Sequence, residues 1–281
     1  MLYLWISSFI WAFSFSLIGH FVVGQCDSYF AILIRMLIAF LIFLPFLEWK
    51  INKGLKIKFA IIGALQIGLM YVLYYNSFRF LSVSEVALST IFTPFWIAFI
   101  YSILKRRFRL RLFAGIFVCI FGAFIIRQAS ISNDFWLGFA LIQGANLLFG
   151  TAQIAYKILC QKEHINKHRG LFGYFFLGAL IFSFFSFLFF GDFDAMPRKS
   201  STWVSLLYLG FISSGLGYFC WNKGASLVSA GRLAVMNNAV IPLAILAEFV
   251  VFKADIADLP SFILGSIVMF SSLLFFVKNS A

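Results

Sequence analysis

Residues 221–242 read WNKGASLVSAGRLAVMNNAVIP: the end of one apolar run, a short basic turn, and the first half of another run that carries paired amides and a proline. Residues 75–94, YNSFRFLSVSEVALSTIFTP, have the same layout, with an amide at a helix end, a polar turn, and an apolar helix with a proline well inside it. Ser77 to Pro94 and Ala225 to Pro242 have equal separations. Two copies of one hairpin imply a duplicated bundle.

Outward from these hairpins the chain is apolar nearly everywhere. Of 281 residues, 63% are hydrophobic and 11% charged, and the mean hydropathy is +0.99. A soluble domain of this size carries far more charge. About ten runs are long enough to cross a hydrocarbon core roughly 30 Å thick, near 2–23, 28–49, 57–78, 84–104, 110–127, 134–157, 170–190, 203–222, 230–252 and 259–278. The composition therefore predicts an all-α polytopic membrane protein. The net charge of +12 sits in short loops between spans, so it speaks for the membrane surface and against a nucleic-acid partner. The first run has no basic leader and no small-residue cleavage site, so it is expected to be a retained helix. Cys26, Cys119, Cys160 and Cys220 form no CxxC pair and read as small apolar residues.

Lys and Arg are retained on the cytoplasmic side of a membrane. With the N-terminus inside, the clusters at Lys50–Lys58, Lys105–Arg111 and Lys157–Arg169 all fall inside, a roughly threefold bias. Both chain ends are then cytoplasmic. The duplication recurs elsewhere: Asn146, Gly150 and Gln153 have the spacing of Ser7, Trp11 and Ser14, and Gly115 and Gly122 that of Gly265 and Ser272. The halves are expected at 1–128 and 129–281, five helices each. An odd number of spans per copy inverts the second copy in the membrane, the architecture of alternating-access carriers with a site at the midplane.

On the WAFSF stretch at 11–15, Arg35 with its apolar helix ending at Pro45, the two hairpins, and the glycine-bearing fifth and tenth spans, the chain resembles the EamA-type transporters of the drug/metabolite transporter superfamily over nearly its full length. The resemblance implies a bacterial inner-membrane carrier of small metabolites, commonly an exporter of amino acids or related carboxylate and amine compounds. Neither hairpin is followed by the family's acidic Gly-Glu turn; the nearest acid in the second half is Asp255.

An arginine within the bilayer is costly and needs a partner or a purpose. Arg35 is read as the receptor of a substrate carboxylate, against a plainer reading as a structural ion pair or a snorkelling side chain. Glu248, at comparable depth, is a candidate partner for Arg35 or a proton carrier, and its plainer reading is snorkelling. Asn146, Gln153, Asn237 and Asn238 lie near mid-span and must face the bundle interior, bonding neighbours or lining a wet cavity. Trp11 and Tyr75 are the aromatic candidates for the pathway, and Pro94 and Pro242 the gating kinks.

There is no GxxxxGK[ST] loop for ATP, and no cofactor is expected. His164 and His168 lack a third ligand, so no metal site is expected. A small-molecule substrate and the lipid bilayer are the expected partners, with the chain a monomer or homodimer. The competing class is an integral-membrane enzyme acting on lipid, which would gather acids and histidines at one interface. Here neutral polar groups are scattered along span interiors instead.

Overall fold

The structure, a computed structural model, describes residues 1–81, 83–106, 110–126, 135–165 and 168–252, with 260, 261, 263–265, 267, 268 and 271 beyond them. Most of the tenth run, with Asp255, Ser272 and the 128/129 boundary, lies outside the described residues. Among those described there is no strand, and the elements follow the expected spans in order. They are α1 (Leu2–Phe21), α2 (Ser28–Phe46), α3 (Lys53–Ser77), α4 (Glu85–Leu104), α5 (Leu110–Ile126), α6 (Phe135–Lys162), α7 (His168–Phe190), α8 (Ser200–Leu227) and α9 (Ala230–Phe252). Among the described residues seven helices, α1–α4 and α6–α8, are long and apolar enough to cross a membrane.

Several helices outrun the apolar stretch that announced them, because caps and turns set the ends while hydrocarbon thickness sets only the middle. α3 begins at Lys53 because the Asn52 side chain accepts from the Gly54 amide at 2.7 Å, which carries the helix through a basic first turn. α2 is capped by Asp27, whose carboxylate accepts from the Phe30 amide at 2.8 Å. The preceding turn needs Gly24 at φ +74°, and the Asp27 amide ties it to Ala195 in the α7–α8 loop. Large apolar side chains such as Phe9, Leu41, Trp136, Phe189 and Phe190 face outward, as a lipid environment requires.

Apolar burial drives little association within lipid, so close backbone contact and hydrogen bonds carry it. α7 lies against α2 and α3, α1 against α9, α6 against α3 and α4, and α8 against α1 and α2. α3 and α7 approach most tightly. A Cβ on Gly63 would sit 1.8 Å from the Phe175 carbonyl oxygen, and one on Gly178 would sit 1.9 Å from that of Ala60.

Hydropathy did not announce the departures from α-helical geometry. α3 is π-helical over Ala64–Leu69 and α8 over Leu209–Gly217, so each has a wide turn near its middle. The two prolines also behave differently. Pro94 stands at the start of the helix Thr93–Lys105, after a 3-10 turn at Thr90–Phe92. It leaves the Thr90 carbonyl without its usual donor, and the Thr93 hydroxyl donates to that oxygen at 2.7 Å. Pro242 lies inside a helix assigned without interruption from Ala230 to Phe252.

Candidate functional site

Seven helices, α1–α4, α6, α8 and α9, line a partly open cavity of about 110 Å³. α1 presents Trp11, Ser14 and Ile18 at successive turns, and α2 presents Arg35. Tyr71 and Tyr74 come from α3, Thr90 and Thr93 from the broken part of α4, and Asn146 and Phe149 from α6. Ser213 and Tyr218 of α8 and Asn237 of α9 complete the polar lining.

Arg35 dominates the chemistry. It is fully buried, and its guanidinium donates to the hydroxyls of Tyr75 (Nη1, 2.6 Å), Tyr71 (Nη2, 2.7 Å) and Ser214 (Nε 3.2 Å, Nη2 3.0 Å). The Tyr71 ring lies 4.3 Å from Cζ, a cation–π contact with the charge over the ring face. Four of five N–H groups are thus held by neutral oxygens, and among the described residues the second N–H on Nη1 has no acceptor. Among the described residues no carboxylate is within ion-pair distance of Arg35. A buried charge bonded only to neutral groups is positioned but not neutralised.

Glu248 is therefore not the partner of Arg35. It bonds His20 Nε2 at 2.6 Å, because the end of α1 packs on α9 and brings the imidazole to the carboxylate first. The remaining candidates separate by role. Trp11, Arg35, Asn146 and Asn237 line the cavity. Tyr75 does not: it lies behind Arg35 and holds Nη1. Asn238 faces α4, donating to the Ile91 carbonyl at 3.0 Å. Gln153 lies outside the cavity wall, about two turns further along α6 than Asn146. Pro94 and Pro242 do not line it.

The polar wall opposite Arg35 is built by α4 and α6. Thr93 Oγ1 lies 2.9 Å from Asn146 Oδ1, an alternative acceptor to the Thr90 carbonyl for its single proton, and Asn146 Nδ2 donates to the Ser89 carbonyl at 3.0 Å. Asn237 lines the cavity, and its Nδ2 donates to the Leu233 carbonyl of its own helix at 2.9 Å. Trp11 donates to the Ser213 carbonyl at 3.1 Å, and Ser14 bonds the Ser213 hydroxyl at 2.8 Å. Ser213 and Ser214 escaped the sequence reading. Their signal was two adjacent hydroxyls between glycines in mid-span, LGFISSGLG, and the π-helical turn lets one serve the cavity and the other Arg35.

A multi-pass helical bundle whose interior holds an un-neutralised cation beside an aromatic and amide wall is built to pass a solute, and has no nucleophile–base arrangement among these groups. The profile of the EamA-like transporter family matches residues 1–128 and 136–278, and the chain belongs to that family. It is 42% identical over 278 residues to a "Probable biotin transporter" of Pseudomonas aeruginosa, covering 97% of this chain and 96% of that one. It is 37% identical over 270 residues to the "Biotin transporter" of Escherichia coli K12, covering 95% and 90%. A solved crystal structure overlays with a TM-score of 0.77 at 14% identity, covering 99% of this chain and 96% of that one, which shows the shared fold. The protein is a membrane transporter, and the lipid-enzyme alternative falls away.

Proposed function

We propose that this chain carries biotin across the bacterial inner membrane, with the valerate carboxylate on Arg35. One observation supports this above the rest. The cavity holds a buried guanidinium with a spare N–H and, among its lining residues, no acid. Such a site offers a counter-charge to a monocarboxylate and none to the ammonium of an amino acid. The reading thus moves from amino-acid export to a carboxylate without an amine, the direction in which the relatives' names also point. The ureido ring finds amide and hydroxyl partners in Asn237 and the Thr93–Asn146 pair, and its fused thioether ring finds apolar surface on Phe149 and Tyr218.

The bundle works by alternating access between two inverted five-helix halves, 1–128 and 129–281, with both ends cytoplasmic. The paired π-helical turns in α3 and α8 favour this, as does the way α8 packs on α2 while α3 packs on α7. At about 110 Å³ the cavity is tight for a ligand pocket, which typically measures roughly 300–1,000 Å³. Loading therefore widens it, and the wide turns are where the helices have hydrogen bonds to rearrange.

The test is flux of labelled biotin into liposomes holding the purified protein, with unlabelled competitors. Desthiobiotin, which keeps the carboxylate, is expected to compete; biotin methyl ester and free amino acids are not. Absence of biotin flux, or equal competition by the ester, would overturn the assignment.

A further inference from the structure

Below the cavity, four rings close the bundle. Trp11 lies 4.9 Å from both Trp221 and Tyr218, and Phe149 lies 6.3 Å from Trp221. Beyond this floor stand three amides that the cavity does not use: Gln66 in the π-helical turn of α3, Gln153 on α6 and Asn222 on α8. Each is completely buried. Among the described residues neither amide atom of Gln66 or Gln153 has a hydrogen-bond partner, nor does Asn222 Oδ1. Asn222 Nδ2 only returns to its own helix, on the Tyr218 carbonyl.

The three share one level. Gln153 lies one turn beyond Phe149, which meets the Tyr218 ring at 6.2 Å, and one turn before Lys157. Asn222 lies one turn beyond Tyr218 and one turn before Ala225, whose carbonyl accepts from Lys157 Nζ at 3.1 Å. Gln66 lies between Tyr71, 6.0 Å from the Tyr218 ring, and Phe59, 5.4 Å from the ring of Tyr156 beside Lys157. Aromatic rings thus cap the layer on the cavity side. On the other side Lys157, itself buried, donates to the Ala225 and Val228 carbonyls and ties α6 to the α8–α9 turn.

Unpaired buried amides cost stability, and an apolar group of the same shape is tolerated as well or better. Five unmatched amide atoms in one slab therefore call for a second state in which they are matched. We infer that Gln66, Gln153 and Asn222 line the far half of the translocation path, dry here, and bond water and the neutral polar part of the solute once the floor parts. The carbonyl grip of Lys157 is the latch that closes this half. The solute chemistry is amide- or urea-like and uncharged at this level, because the layer's own groups are neutral donors and acceptors. The inference rests on solute passage through the central cavity.

Two measurements test it. In a background without the native cysteines, Gln153→Cys is exposed to a membrane-impermeant maleimide in vesicles of both orientations. Labelling is expected only from the face nearer Lys157, and at least tenfold faster when Lys157→Ala is added. No labelling from either face in that double variant refutes the path. Second, Gln66→Leu with Gln153→Leu is expected to keep the melting temperature at or above the parent's and biotin binding within threefold, while biotin flux falls at least tenfold. A lowered melting temperature would make the amides structural and defeat the inference, and so would unchanged flux. If the parent protein moves no biotin, the substrate assignment fails alone, and the labelling still decides the path.

Discussion

Replacing Arg35 by Gln should have opposite effects on ligand binding and on stability, and the geometry gives the size of each. In the ligand-free protein the guanidinium is buried, bonded to Tyr71, Tyr75 and Ser214, and faces no carboxylate. An arginine at membrane depth costs about 2.5–3.5 kcal/mol on insertion scales, partly offset by those hydroxyls and the Tyr71 ring. Gln removes the charge, and its amide still serves one or two of the hydroxyls, so the apo protein should unfold at the same temperature or higher. With a carboxylate ligand the balance reverses. Removing one partner of a buried charged pair costs about 2–5 kcal/mol, and each 1.4 kcal/mol is tenfold, so biotin affinity should fall roughly 30-fold or more. Arg35→Lys should fall between the two, since an ammonium keeps the charge but cannot reach three hydroxyls in the same fork geometry. Equilibrium binding of labelled biotin to detergent-purified protein, beside a thermal unfolding curve, reads both effects. Biotin methyl ester should bind the Gln variant as it binds the parent. A Gln variant that binds biotin within threefold of the parent, or that loses affinity only because it unfolds, would refute the role of the guanidinium.

Two other consequences follow from packing and burial. Gly63→Ala places a Cβ 1.8 Å from the Phe175 carbonyl, so α3 and α7 must separate; a loss of about 1–3 kcal/mol is expected, read as a lower unfolding temperature, and an unchanged one would mean the contact yields freely. Cys26 lies in the α1–α2 turn, where burial and then neighbouring Asp27 push its thiol up to about 11. The thiolate fraction is therefore small at neutral pH and rises about tenfold per pH unit up to that value. In a background where Cys26 is the sole cysteine, alkylation should follow that slope, and a rate already at its plateau near pH 9 would contradict the burial.

The order of helices and the short loops were legible from hydropathy, and the need of Arg35 for partners followed from the cost of placing a charge in lipid. The same reasoning pushed Asn146, Gln153, Asn237 and Asn238 into the interior without saying which space each would face. Two line the cavity, one bonds α4, and Gln153 lies below the aromatic floor. Glu248 went to His20 because depth alone cannot distinguish which neighbouring helix a side chain meets. Tyr75 was expected to line the pathway with its ring, but it is buried away from the cavity and its hydroxyl holds Arg35.

What residue order alone determined is what depends on transfer from water to hydrocarbon, a cost that adds up along each run whatever its neighbours are: a helical membrane protein, the order of its apolar helices, and which polar residues must be kept from lipid. Only the assembled bundle decided which of those residues meet. That choice turns on how far each helix is rotated about its axis and how closely two backbones approach. The π-helical turns at Ala64–Leu69 and Leu209–Gly217 alter that rotation in mid-helix, and the glycine contacts of α3 with α7 set the approach. Neither leaves a mark in hydropathy, because both are settled by contacts between segments far apart in the chain.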